Sequence, residues 1–125
     1  MTTTSVAVQH RDHTALSEEF ARALVAHLNR LRAEFHPHDP PTDPANVWGQ
    51  MQHLPPVLEL DFWTVKEGGV IVAHARTQLL TVGDNQHLAE LELMVSPAAR
   101  GRGLGRTLLG HAARAMREQI GRAHV

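Results

Sequence analysis

Between Leu91 and Leu109 an alternating apolar strand runs into a glycine-rich loop, and the loop opens directly into a helical pattern. That order constrains the chain more than any other feature, because it builds an anion site from backbone alone. Gly101, Gly103 and Gly105 carry no Cβ, so the loop can turn tightly and admit a ligand close to its amides. Leu104, Leu108, Ala112, Ala115 and Met116 recur at helical spacing, which places the loop at a helix N-terminus. There the unpaired N–H groups and the positive end of the helix dipole favour negative charge. Arg100, Arg102 and Arg106 add cations, so the expected guest is a phosphate or pyrophosphate.

Two familiar phosphate loops do not fit. A P-loop ends in Gly-Lys-Ser or Gly-Lys-Thr after a four-residue spacer, whereas Gly105 is followed by Arg106-Thr107. The dinucleotide fingerprint needs G-x-G-x-x-G early in a βαβ unit, and this loop reads G-x-G-x-G near the end of the chain.

The segment instead resembles the central motif of the GNAT superfamily of acyl-CoA-dependent N-acyltransferases, Q/R-x-x-G-x-G/A following a strand. Arg100-Gly101-Arg102-Gly103-Leu104-Gly105 matches it at every position, Leu93-Met94-Val95-Ser96-Pro97 is similar to the end of the family's fourth strand, and Leu108-Leu109 to its third helix. The resemblance implies an α/β layered fold with a mixed, mainly antiparallel sheet of about four strands and about three helices. It implies acetyl-CoA as co-substrate, its pyrophosphate held by amides from Arg100 through Gly105 with Arg106 next, and its pantetheine arm paired with backbone of Leu93, Met94 and Val95. An amide of Met94 or Val95 would face the thioester oxygen and stabilise the charge that develops as an amine attacks. The implied activity is direct transfer of an acetyl group to a primary amine of a small molecule or peptide.

The rest of the chain is consistent with one such domain. Its 125 residues, 42% hydrophobic and 20% charged, suffice for a single core and not for two. A formal net charge of −1 argues against general nucleic-acid binding, leaving only an arginine-glycine contact through the loop as a reading of that kind. No apolar run approaches bilayer length and Met1-Thr2-Thr3-Thr4 lacks the regions of a signal peptide, so no membrane partner and a cytoplasmic location are expected. The absence of cysteine excludes disulfides and a cysteinyl acyl carrier, which suits direct transfer. Ten histidines invite a metal, but His36-Pro37-His38-Asp39 is the only tight cluster and has no second pair at ligand spacing, so no metal is expected.

Along the chain, Ser5–Gln9 alternates as a first strand. From an N-cap at Thr14, Leu16, Phe20, Leu24, Leu28, Leu31 and Phe35 mark an amphipathic helix that the prolines 37, 40, 41 and 44 cannot continue. Asp43 caps a short second helix with Pro44 at its first position, carrying Val47 or Trp48, Met51 and Leu54 on one face. Glu59–Val65 and Val70–Leu80 form a hairpin about Lys66-Glu67-Gly68-Gly69, and after a turn at Gly83-Asp84-Asn85 a last strand covers Leu88–Val95. Trp48 and Trp63 read as core or interface anchors.

For the base, Glu90 and Glu92 share one face of the last strand; Glu92 is preferred, acting directly or through water. His74 and His87 are alternatives, read first as ordinary strand and turn residues. Many members of the family use a tyrosine of a fourth helix as general acid, and this chain has no tyrosine. After its third helix the family continues with a strand that splays from the fourth, a helix and two more strands. Ile120-Gly121-Arg122-Ala123-His124-Val125 back-translates into a widely used sequencing adapter. Residues 1–119 are therefore expected to be a GNAT-like domain incomplete at its C-terminus, and 120–125 a non-native tail. The open edge of the fourth strand would then be covered by a homodimer or a tandem GNAT partner domain. A non-catalytic CoA-binding module of such a tandem protein is the alternative to an enzyme.

Overall fold

The computed structural model of the chain describes residues 7–81 and 87–123. The turn expected at Gly83-Asp84-Asn85, the start of the strand expected from Ser5, and His124 and Val125 lie outside them. Four strands, β1 (Gln9–Asp12), β2 (Leu58–Glu67), β3 (Val70–Thr81) and β4 (His87–Val95), form one antiparallel sheet in that order. Helices α1 (Glu18–Phe35) and α2 (Pro44–Gln52) pack on one face and α3 (Leu104–Ala123) on the other, giving the layered α/β arrangement. α3 runs on through Ala123, into the segment read as a non-native tail.

β2 explains the three layers. Its residues Leu60 to Val65 are all buried, as expected of a strand covered on both faces. Leu60 and Phe62 join Phe20, Leu24 and Ile71 beneath α1, while Trp63 and Val65 join Ala73, Ala75, Leu104, Leu108 and Ala112 beneath α3. Gly68 and Gly69, at φ 59° and 80°, form the two-residue turn of the hairpin, a conformation that L side chains resist. A bulge follows, with Val65 opposite Ala73 but Lys66 opposite Ile71. The extra residue inverts the facing of β3, so that Ile71 serves the α1 core while Ala73 and Ala75 serve the α3 core.

The largest differences from the sequence reading fall at the first strand and at the start of α1. Among the described residues the first strand covers Gln9–Asp12, so it leaves out Ala7 and Val8 and includes the polar Arg11 and Asp12 that were to follow it. As an edge strand it is set by its partner rather than by alternation, and His10 Nε2 meets the buried Asp61 Oδ1 at 2.7 Å. The N-cap of α1 is Ser17, whose Oγ accepts from Phe20 N at 3.1 Å, and not Thr14. Asp12 takes the Thr14 amide at 2.8 Å in a 3-10 turn over His13–Ala15, so the helix starts a turn later and Leu16 packs ahead of it. The second helix starts as read, with Asp43 Oδ1 accepting from Ala45 N at 3.0 Å and Pro44 at its first position, but it ends at Gln52, so Leu54 lies in the segment after it and not on its face. Asn29 pairs with the backbone of Thr42 through both amide atoms, at 2.9 and 3.0 Å, and so ties the proline-rich loop to α1. Trp63 is buried under α3 and Trp48 half-buried. Among the described residues no helix is long and apolar enough to cross a membrane.

Candidate active site

At the end of β4 the chain makes one 3-10 turn, Pro97–Ala99, then passes through Arg100–Gly103 into α3. Gly101 and Gly103 hold φ of 79° and 78°, and nothing lies within 4 Å of where a Cβ would stand on either. Both conditions suit a loop whose backbone is approached from outside. α3 begins as Gly103 O accepts from Thr107 N at 3.1 Å, which leaves the amides of Leu104, Gly105 and Arg106 in the first turn without intrahelical acceptors. Gly105 differs from the other two glycines. It has ordinary helical backbone, and a Cβ there would sit at 3.7–3.8 Å from Leu93 and Val95, in normal contact. Its place beneath the loop is a packing site between α3 and β4, while Leu104 is buried in the α3 core.

The loop's arginines are less available than their charge suggests. Arg100 makes a two-pronged ion pair with Glu34 of α1, at 2.9 and 3.1 Å, and its Nε donates to Val95 O. Arg102 does the same with Glu67 at the end of β2, at 2.7 and 2.8 Å, and its hydrogen bonds hold that carboxyl below the usual range. Arg106 is exposed at the first turn of α3, with no acidic partner among the described residues. The two pairs pin the flanks of the loop and leave the first-turn backbone amides and Arg106 as its uncompensated positive groups.

A groove of about 610 Å³ runs between the C-terminal half of α1 and β4, lined by Leu28, Leu31, Phe35 and the stretch Glu92 to Val95, and ending at Arg100. Leu93, Met94 and Val95 thus lie together along this groove. β4 pairs only with β3 among the described strands, so alternate backbone groups along its other edge remain for a ligand to pair with. A second cavity, about 240 Å³, lies under α2 between α1 and the sheet and is lined by Leu24, Leu28, Met51, Leu54, Phe62 and, at one end, His74, Arg76, Gln78 and Glu92. Val47, of the two alternatives, also lines it. Only Leu28 and Glu92 line both cavities. Glu90 sits on the same sheet face, opposite Gln78, but lines neither.

Glu92 is held by Arg76 and His74 of β3, and His74 begins a buried chain of hydrogen bonds. Its Oε2 lies 3.1 Å from Arg76 and its Oε1 3.1 Å from His74 Nε2; His74 Nδ1 meets His27 Nε2 at 3.0 Å, and His27 Nδ1 meets Ser96 Oγ at 3.1 Å. Both histidines are fully buried. A carboxylate can only accept, so His74 donates through Nε2; its Nδ1 then accepts from His27, whose Nδ1 accepts from the Ser96 hydroxyl. Burial, with His74 and Arg30 nearby, pushes the His27 imidazole down to about 4, so it is neutral at pH 7. The His74 hydrogen bond, and then the Arg76 charge, hold the Glu92 carboxyl below its ordinary value against the opposing effect of burial.

The sequence reading missed His27, Arg76 and Ser96 and gave His74 no part beyond that of an ordinary strand residue. One signal was present: His27 lies between Leu24 and Leu31 on the apolar stripe of α1, where a polar side chain needs a buried partner. Among the described residues no three His, Asp or Glu side chains stand together as a metal-binding group.

The sequence pattern of the acetyltransferase (GNAT) family matches residues 20–125. Among solved structures, a tandem GNAT protein from the clavulanic acid biosynthesis pathway is 28% identical, with a TM-score of 0.64; the match covers 91% of this chain and 34% of that one. This chain therefore spans about a third of the tandem protein's length. An acyl-CoA N-acyltransferase from Pseudomonas aeruginosa is similar in fold at 21% identity, TM-score 0.59, covering 92% of this chain and 73% of that one. So is an aminoglycoside N-acetyltransferase, AAC(6')-Iy, in complex with CoA, at 17% identity, TM-score 0.56, covering 95% and 75%. No curated protein sequence matches the chain.

Proposed function

The chain belongs to the acetyltransferase (GNAT) family, and on that premise we propose that it is an N-acetyltransferase that moves the acetyl group of acetyl-CoA directly onto a primary amine. The observation that carries this reading is the position of Glu92, a charged carboxylate at the junction of a groove beside the glycine loop and a cavity beneath α2. The loop fits the co-substrate: the open space over Gly101 and Gly103 and the unpaired first-turn amides of α3 suit a pyrophosphate, and the free edge of β4 from Leu93 to Val95 suits an amide-bearing arm. Bound acetyl-CoA would supply a thioester whose C–S bond breaks once the N–C bond forms, CoA leaving as a thiolate that takes its proton from water.

The protein's own groups do the rest. Glu92 attracts and orients the amine, and it accepts the proton that nitrogen sheds on bonding to the acyl carbon, directly or through water. A carboxylate held below its usual range is too weak a base to deprotonate an ammonium fully, so the amine reacts from its neutral fraction and the proton that nitrogen sheds as the N–C bond forms passes to Glu92 or water. His74, backed by His27 and Ser96, fixes the carboxylate's orientation and leaves its remaining lone pairs for the amine. A backbone amide of Met94 or Val95 is assigned to the thioester oxygen.

The test is acetyl-CoA binding by calorimetry, comparing the chain with a Gly103→Asp variant. Aspartate tolerates positive φ better than most side chains and puts a negative charge where the pyrophosphate would lie. A loss of affinity of at least about tenfold is expected from charge repulsion at a helix N-terminus. Unchanged binding would refute the assignment of the loop. A second reading, a non-catalytic CoA-binding module, draws on the tandem relative of which this chain covers 34%. It predicts the same binding with no thiol release in the presence of any amine.

A further inference from the structure

We infer that the acceptor is a compact primary monoamine with an apolar arm, and not a polycation. The inference rests on the N-acetyltransferase reading and concerns the cavity under α2. At about 240 Å³ that cavity lies below the range of roughly 300–1,000 Å³ common for ligand pockets, so its occupant is small. Its walls are aliphatic or aromatic along most of their length, with Leu24 and Leu28 from α1, Met51 from α2, Leu54 from the segment after it and Phe62 from β2. Polar groups gather at the end that Glu92 shares with the acyl groove. An occupant therefore has one apolar end and one amine end, and the geometry decides which end meets the acyl donor.

Charge separates this class from the polyamines and aminosugars. Glu92 is the only acidic residue lining the cavity, and Arg76 faces it at 3.1 Å, so the lining carries no net negative charge. Gln50 and Gln78 are neutral, and His74 has both ring nitrogens engaged. Glu92 accepts one bond from each of two neighbours, and a carboxylate has about four acceptor sites, which leaves room for one ammonium. A second positive charge in the same molecule would meet Arg76 or an apolar wall, and neither compensates its desolvation.

The experiment measures thiol release from acetyl-CoA with 2-phenylethylamine and isoamylamine against spermidine and kanamycin. The monoamines should exceed both polycations in kcat/KM by at least about tenfold, the discrimination one matched apolar contact supplies. Leu54→Asp, on a half-buried wall residue, should lower the rate with 2-phenylethylamine and raise that with spermidine. A polycation turned over faster than both monoamines by the unmodified protein would overturn the proposal. Should no amine be turned over, the Met51 methyl signal is followed in the presence of acetyl-CoA. A shift on adding 2-phenylethylamine but not spermidine supports the proposal, and no shift with either monoamine overturns it. Failure to bind acetyl-CoA in the calorimetric test instead counts against the reading beneath it.

Discussion

His27 should make the protein's stability depend on pH in a window where its carboxylates contribute little. Its imidazole is fully buried and falls from an ordinary value of 6.5 to about 4 in the folded state. The folded chain therefore binds fewer protons than the unfolded chain between these values. The stability His27 contributes is fully present above pH 6.5 and is lost as pH falls toward 4. A drop of about 2.5 pH units at 1.36 kcal/mol each amounts to about 3 kcal/mol in total. Between pH 7 and pH 5 alone the linkage relation gives about 2 kcal/mol. The groups that face His27 are His74, Arg30, Glu92 and Ser96. The assay is urea unfolding at pH 5, 6 and 7 for the unmodified protein and for His27→Gln, which cannot titrate. Taking the difference cancels the contributions of Glu92, Asp12 and the remaining histidines to first order. That difference should grow by about 2 kcal/mol in favour of the unmodified protein from pH 5 to pH 7. A difference independent of pH would refute the claim that His27 is held neutral by burial.

The three glycines of the loop should respond differently to alanine: Gly103→Ala, at φ 78°, should destabilise by about 1–2 kcal/mol, whereas Gly105→Ala, in helical backbone with room for a Cβ, should be neutral or stabilising by up to about 1 kcal/mol, both read from denaturant midpoints. Removing the partners of the loop arginines in Glu34→Gln/Glu67→Gln should tighten acetyl-CoA binding severalfold at low salt, an effect that fades as salt is added; calorimetry at two ionic strengths checks it, and weaker binding would show that the ion pairs shape the loop. Glu92→Gln should lower kcat by about 10²–10⁴ with acetyl-CoA affinity unchanged, as expected of a base that does not hold the co-substrate. Leu108→Ala, at a fully buried position of α3, should cost about 2–5 kcal/mol in thermal or chemical unfolding.

Much of the fold was legible before any coordinates. The turn at Gly68-Gly69, the cap at Asp43-Pro44 and the step from β4 through glycine into α3 each depend on neighbours within a few residues. Local chemistry suffices there, because backbone conformation and capping are set by the residues that adopt them. The start of α1 was misplaced for a related reason. Thr14 and Ser17 are both competent caps, and only the competition from Asp12 for the Thr14 amide decided between them. The first strand was misplaced because an edge strand needs only a partner to pair with, and β2 lies about fifty residues away.

The amino-acid sequence by itself determined the family motif, the helical and strand periodicities and a glycine-rich loop at a helix N-terminus, since all of these are written in spacing. The sequence preferred Glu92 to Glu90, and tertiary structure alone shows what surrounds each of them. Glu90 and Glu92 are equivalent in the alternation of β4, and only the packing of α1 and α2 against that face sets Glu92, with His74, at the meeting of two cavities. It also decided that the loop's first two arginines are spent on Glu34 and Glu67, and that His27 of α1 reaches His74 of β3. These contacts join residues 35 to 66 positions apart, and their geometry follows from sheet register, a bulge and helix packing rather than from any local preference.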